Sequence, residues 1–332
     1  MRTFILKTAI IAAALVGTSS AALAADPIVI KLSHVAAADT AKGKAALKFK
    51  ELAEEKTQGK VKVEVFPNST LYKDKEELEA LQMGSVQMLI PAVAKFGTLG
   101  ISDFDVFDLP YMFPNLDGLH RVTQGPIGQT LLAKLEGRAI KGLAFWDNSF
   151  VMFSANRPLI KPEDVKGLKM RSYSKVIDAQ YRTIGAIPQT MAFSEMYQGL
   201  QTGVIDGQDT VPVNMETQKL FEVQKHGTLT FHRHPVYALI ASKKWWDGLP
   251  PDVRTGLEAA VTEATRYNNA IAQNENAEAI DRMKASGKIA IHQPNAQEMT
   301  AWRNALQPVR QQMESRVSKD LLRSVTQAAG GQ

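Results

Sequence analysis

The chain has 332 residues, 45% of them hydrophobic and 22% charged, and it contains no cysteine. That is the balance of a folded globular protein, and at roughly 150 residues per domain it is enough for about two domains. The missing cysteine excludes disulfides, thiolate-held zinc, iron–sulfur clusters and thiol nucleophiles.

The chain begins as a secretory leader. Arg2 and Lys7 supply a cationic start, and residues 9–16 form a short apolar run. Gly17, Ser19 and Ser20 interrupt that run, which argues against an uncleaved anchor. Ala22-Leu23-Ala24 matches an A-x-A cleavage site, so residues 1–25 read as a signal peptide. The formal charge of +5 loses Arg2 and Lys7 with it, and 5 − 2 leaves +3. Export without cysteine points to the periplasm of a Gram-negative bacterium, since a large two-domain chain needs no disulfide staples. Lysines and arginines are scattered, with no basic block interleaved with aromatics, so nucleic acid is not an expected partner. A cleft that attracts an anion is.

After the leader, strands alternate with helices. Residues 28–32 read as a strand, and Thr40 caps a helix through Phe49 and Leu52 that Gly59 ends. Val61, Val63 and Val65 alternate with Lys62 and Glu64 as a half-buried strand. Residues 76–83 read as a helix with Leu78 and Leu81 inward, and residues 86–90 as a buried strand. A second run follows, with strands over residues 142–146, 151–155 and 168–172. A helix over 175–184 comes next, and another over 195–202 capped by Ser194. This is α/β layering with a largely parallel sheet. Residues 251–286 hold no glycine or proline beyond Gly256, and their apolar residues recur at helical spacing. About 35 residues at 1.5 Å each span about 50 Å, more than one small domain. One helix bridging both domains is the reading preferred over two helices with an unmarked break. A last helical region runs from Asn295, with Glu298 placed for a capping box, to about Gln327.

The sequence has no G-x-G-x-x-G, P-loop, H-E-x-x-H or G-x-S-x-G motif. The cluster of Asp103, Asp105 and Asp108 lacks the glycine and the twelfth-position acid of an EF-hand. His232 and His234 read as a hydrogen-bonded or solvated strand edge rather than a metal pair, and Asn68-Ser69-Thr70 as a turn. No cofactor and no metal is implied.

Other segments are informative as a set. They include Phe66-Pro67-Asn68-Ser69, Phe107-Asp108-Leu109-Pro110-Tyr111, Lys166-Gly167-Leu168-Lys169-Met170-Arg171 and Gly185-Ala186-Ile187-Pro188. Further along stand Met191-Ala192-Phe193-Ser194-Glu195, Asp206-Gly207-Gln208 and Glu222-Val223-Gln224-Lys225. In this order and spacing, from Ile28 to about Asp320, the chain resembles the solute-binding subunits of tripartite ATP-independent periplasmic (TRAP) transporters, the dicarboxylate-binding-protein family. The resemblance implies a two-domain periplasmic binding protein fold with a ligand cleft between lobes and a long helix bridging them. It implies lobe I over residues 26–150 plus about 236–270, and lobe II over 151–235 plus about 271–332. It further implies capture of an organic acid anion, without chemistry, and delivery to the TRAP membrane permease. The alternatives are a ligand-presenting partner for a sensor kinase and, more remotely, an enzyme acting on organic acids with Asp209 and His34 as its acid–base pair.

The resemblance also places the site. Arg171 matches the family's carboxylate clamp, and a guanidinium offers a planar fork that stays charged when desolvated. Asn148 and Phe193 match solute-contacting positions, and His34 and Tyr237 are candidates on the facing wall. Arg157 fits a position without a ligand role. Two departures stand out. Asp209-Thr210 replaces the Glu-Asn of many relatives, and Val151 replaces a cation found in some of them. An apolar Val151 leaves a second solute carboxylate short of a partner. This places a monocarboxylate with an apolar, keto or hydroxyl-bearing remainder beside the dicarboxylate, unless Lys95 or His34 supplies the second cation.

Overall fold

A computed structural model describes residues 26–330; the leader lies outside the described residues. The alternating valines form their strand as expected. β1 (Ile28–Ser33) and β2 (Val61–Phe66) run parallel, with Ile30 opposite Val63. Between them, α1 (Ala41–Lys56) starts at Thr40, whose hydroxyl accepts from the Gly43 N–H at 3.1 Å, a cap worth about 1 kcal/mol. A side chain at Gly43 would lie 2.4 Å from the Ala37 carbonyl, so the tight entry to this helix requires glycine. α2 (Glu77–Gln82) buries Leu78 and Leu81. Residues 86–90 contribute only a short ladder, β3 (Met88–Leu89). α3 (Leu116–Thr123) and α4 (Pro126–Lys134) lead to β4 (Ile140–Asp147).

Residues 148–151 then carry the chain to a second sheet. It receives β5 (Met152–Ala155), β6 (Lys169–Ser172), α5 (Lys175–Thr183), β7 (Ile187–Thr190), α6 (Met196–Gln201), β8 (Gly207–Thr210), α7 (Pro212–Thr217) and β9 (His226–Thr228). Residues 229–235 return, and β10 (Val236–Ser242) re-enters the first sheet, followed by α8 (Lys243–Asp247). The strand orders are β2-β1-β3-β10-β4 and, with β11 (Ala290–His292) at its edge, β11-β9-β5-β8-β6-β7. Both sheets are mixed rather than largely parallel: β10 is antiparallel to β3 and β4, and β5 to β8 and β9. Neither β5 nor β10 is delivered by a βαβ crossover, the connection that imposes parallel pairing. Ser194 does not cap a helix; it lies in a tight 3₁₀ turn (Phe193–Glu195), where the Glu195 carboxylate accepts from the Ala192 N–H.

The unbroken pattern after Pro251 is one helix, α9 (Pro251–Ala285), 35 residues long. It packs on α1 and β4 beside the first sheet and on α7 beside the second. Gly256 sits where a side chain would meet the Lys56 carbonyl at 2.9 Å. Glycine costs about 1 kcal/mol inside a helix, and here it lets α9 and α1 approach. The final helical region is two helices, α10 (Ala296–Gln312) and α11 (Lys319–Ala329), separated by turns. The Asn295–Glu298 capping box is present, with reciprocal bonds of 2.9 and 3.0 Å. α10 packs on α5, whereas α11 packs on α3 beside the first sheet.

α9 also fixes the first crossing. Its Asn268 and Asn276 donate to the carbonyls of Asp147 and Asn148 at 3.0 and 3.1 Å, and Asn269 accepts from the Asp147 N–H at 2.9 Å. The other face of the Asn276 amide accepts from the Val213 N–H at 3.0 Å, so one side chain ties α9 to the crossing and to α7. The apolar core is continuous past this point, from Phe145 on the first sheet to Phe153 on the second, which stacks on Trp302 at 5.2 Å. Met83, beside the first sheet, and Val204, beside the second, are 74% and 54% exposed. Among the described residues no helix is long and apolar enough to cross a membrane.

Candidate functional site

The two sheets face each other across a cavity that is partly open to solvent, a setting for a small solute. Its walls come from the crossings and from the strand ends of both sheets, where α/β folds place ligands. Arg171, Asn148, Phe193, Thr210, Asp209, Tyr237, Val151 and Lys95 all line it.

Arg171 is the third residue of β6 and only 4% exposed. Its Nε donates to the Met191 carbonyl at 3.1 Å and its Nη2 to Asp74 Oδ2 at 3.3 Å. The guanidinium carbon lies 4.6 Å from the Tyr173 ring centre and 5.8 Å from that of Phe193, a cation–π setting that fixes the fork's plane. Asp74 arrives from the facing loop ahead of α2. Its carboxylate also accepts from Lys95 Nζ at 2.8 Å and from the Phe193 N–H at 3.1 Å. Burial opposes its ionisation, but Lys95 and Arg171 outweigh burial and hold the carboxyl below its usual range.

Neutral donors and acceptors surround this pair. Asn148 Nδ2 donates to Tyr237 Oη at 2.9 Å; burial pushes the Tyr237 hydroxyl up to about 12, so it stays protonated. Asn214 Nδ2 lies 3.5 Å from Thr210 Oγ1. Val151 is fully buried and packs with Val211, Val213 and Ala279 as an apolar patch. Val151 makes this part of the wall apolar, and Lys95 is a cation from the other wall.

Asp209 is committed elsewhere. Its oxygens accept from Tyr181 Oη at 2.7 Å, His232 Nε2 at 3.0 Å and Arg233 Nε at 2.9 Å. Arg233 in turn donates to Asp108 at 2.7 Å and to Tyr173 Oη at 3.1 Å. Burial alone would raise the Asp209 carboxyl, but Arg233 and His232 hold it well below the carboxylate range. It is a wall built of internal ion pairs.

His34 does not reach the cavity. It follows β1 fully buried, with neither ring nitrogen hydrogen-bonded, and burial together with the Lys42 charge lowers it to about 3. The wall position is taken by Val35 and Ala36, in the bend that follows β1. The proposed Asp209–His34 pair is therefore not assembled. His232 and His234 are buried in the return crossing rather than along a strand edge; His232 stacks on Phe153 at 4.3 Å. Arg157 staples the Asp164 and Lys166 carbonyls at the surface. Asp74, Glu77, Tyr173 and Arg233 belong to the site and were not expected there. Among the described residues no group of three or more His, Asp or Glu side chains is placed to hold a metal ion.

A desolvated cation, amides and rings converging between two lobes can hold a small anion without transforming it, and that is the work of a two-lobed binding protein. The chain belongs to the bacterial extracellular solute-binding protein family 7 (DctP), whose family model matches residues 32–316. It is 56% identical over 322 residues to the C4-dicarboxylate-binding periplasmic protein DctP of Rhodobacter capsulatus, covering 95% of this chain and 97% of that one. Among solved structures it resembles a TRAP periplasmic solute-binding protein from Shewanella oneidensis with bound succinate. That match has a TM-score of 0.89 and 38% identity, covering 91% of this chain and 99% of that one. A TRAP solute-binding protein from Pseudomonas aeruginosa with bound L-malate matches with a TM-score of 0.84 and 40% identity, covering 86% and 100%. The family consists of extracellular solute-binding proteins for transport rather than enzymes, and the two-lobed fold class expected from the sequence is the one these neighbours share.

Proposed function

We propose that this protein captures a C4-dicarboxylate of the succinate or malate type and presents it to a TRAP membrane permease from the periplasm. The observation that carries this reading is Arg171. It is desolvated at the cavity, and two of the five donors of a guanidinium are engaged by the protein, which leaves a fork for one solute carboxylate. Lys95, 2.8 Å from Asp74, adds a second positive charge on the facing wall. Asn148, Tyr237 and Thr210 offer hydrogen bonds, and Phe193 and Val151 cover the carbon chain. The relatives known by C4-dicarboxylate names, and the succinate- and malate-bound neighbours, support this over a monocarboxylate.

The lobes pivot at the two crossings. The first lobe comprises residues 26–150, 236–270 and, from the packing of α11 on α3, the segment from about 318 onward. The second comprises residues 151–235 and 271–317. Solute stabilises the closed arrangement in proportion to its extra affinity for it, and the closed surface is what the permease meets. Calorimetry with succinate, fumarate, L-malate and a set of monocarboxylates tests the reading. Tight binding of the dicarboxylates, lost in Arg171→Ala, is expected. Preference for a monocarboxylate, or an Arg171→Ala protein that binds as tightly as the parent, overturns it.

A further inference from the structure

Glu77, on the first turn of α2, faces the cavity and is 1% exposed. Both of its carboxyl oxygens are buried without a hydrogen-bond partner. A buried carboxylate normally gathers donors, as Asp209 and Asp74 do, because an unsatisfied one pays its full desolvation cost. Two lysines stand near. Lys42, on α1, is 3% exposed and donates to the Ile90 carbonyl at 3.3 Å while sitting 3.6 Å over the Tyr237 ring. Lys95 is bonded to Asp74. The groups facing Glu77 are therefore Lys42 from α1, Asp74 from the loop before α2, Lys95 from the turn after β3, and Tyr237 from β10.

We propose that Glu77 is the residue that couples dicarboxylate binding to a proton: on filling of the cavity it takes up a proton from solvent and donates it as an O–H bond to the solute's second carboxylate. This rests on the dicarboxylate reading above. Two carboxylates sharing a dry site cannot both remain ionised without a cation between them, and one of them takes a proton. Lys95 already serves Asp74, and Lys42, the other cation facing Glu77, is lowered to about 7 by burial and donates to the Ile90 carbonyl. Glu77, with no other bond to lose, is the group best placed to change state. Burial, then the Asp74 charge, raises the Glu77 carboxyl, against the opposing pull of Lys95 and Lys42. It is therefore poised for such a change before any solute arrives. A protonated Glu77 also distinguishes solutes: it gives a donor to a second carboxylate, and a monocarboxylate with an apolar tail leaves that donor unused.

The test is calorimetry of fumarate binding at about pH 8 in phosphate and in Tris, buffers of very different ionisation heat. Phosphate and Tris runs that differ by a fractional proton uptake are expected for the full mature chain, with affinity falling severalfold from about pH 7 to about pH 8.5. In Glu77→Gln, which keeps the shape of the neutral acid, the uptake and the pH dependence both disappear. Heats equal in the two buffers for the parent, or uptake that persists in Glu77→Gln, overturn the proposal. A parent that gives no heat with fumarate, succinate or malate instead overturns the dicarboxylate reading, and this coupling with it. A second measurement needs no solute. Against pH from about 5 to about 8, the melting temperature of Glu77→Gln should gain on that of the parent, since only the parent must bury an ionised acid. A gap that does not change with pH counts against a titrating Glu77.

Discussion

Asp74 and Arg171 meet across the cleft at 3.3 Å, so a carboxylate of the first lobe rests on the guanidinium of the second. The same carboxylate holds Lys95 at 2.8 Å. Asp74→Asn removes the anion and leaves two desolvated cations facing each other, a change of about 3 kcal/mol for a broken buried pair. The unliganded variant should melt lower than the parent, and saturating succinate should narrow the gap, because the solute restores a negative charge at that point. A gap that succinate leaves unchanged counts against the shared seat.

Arg171→Lys keeps the charge and loses the fork and the ring stacking. Succinate affinity should fall by about 10- to 100-fold, the worth of one charge-assisted bond at roughly 1.5–3 kcal/mol, and calorimetry reads the difference directly. Retained affinity shows that the charge alone suffices.

Arg233→Met strips both Asp108 and Asp209 of their shared cation in a fully buried network. Loss of about 3–5 kcal/mol is expected in urea unfolding. Because neither Arg171 nor Lys95 is hydrogen-bonded to Arg233, any folded fraction should keep a measurable solute response.

Asn276→Ala leaves the Val213 N–H and the Asn148 carbonyl without partners. Each buried orphan costs about 1–3 kcal/mol, so a stability loss of about 2–4 kcal/mol is expected from urea unfolding. A loss well under 1 kcal/mol would falsify the view that α9 pins the crossing through this side chain.

His120 on α3 bonds Asp147 Oδ2 at 2.6 Å. That bond, with the Asp147 charge, raises the imidazole above its usual value against partial burial. A raised folded value contributes stability in full below the ordinary histidine value of about 6.5 and loses it as pH climbs through the raised one. The parent should therefore lose melting temperature relative to His120→Gln as pH rises from about 6 to about 8. A constant difference across that window removes the pair from the pH account.

Much of the frame was legible before any coordinates. α9 could be read because nothing after Gly256 breaks it, and α1, β1 and β2 because their periods are clean. Arg171, Asn148, Phe193 and Tyr237 reached the cavity because segment order carried them there. Glu77 and Asp74 did not announce themselves. They lie in the run Lys73-Asp74-Lys75-Glu76-Glu77, which reads as a solvated charged turn; the fold exposes Lys73, Lys75 and Glu76 and turns the other two inward. Local pattern carries no information about which side of such a turn a distant strand will cover. The mixed sheets escaped for a related reason: β10 pairs with β3 and β4 only after a long excursion through the other lobe. His34 failed because the chain bends just after β1, where Val35 and Ala36 rather than His34 come to face the cavity.

The exposure of Met83 and Val204 on opposite lobes has a practical consequence in a chain without cysteine. A thiol introduced at each position is the sole nucleophilic sulfur at that lobe, so a donor–acceptor dye pair attaches there without background. Energy transfer between the two dyes then reads the angle between the lobes molecule by molecule, and the protein becomes a reporter of its own ligand.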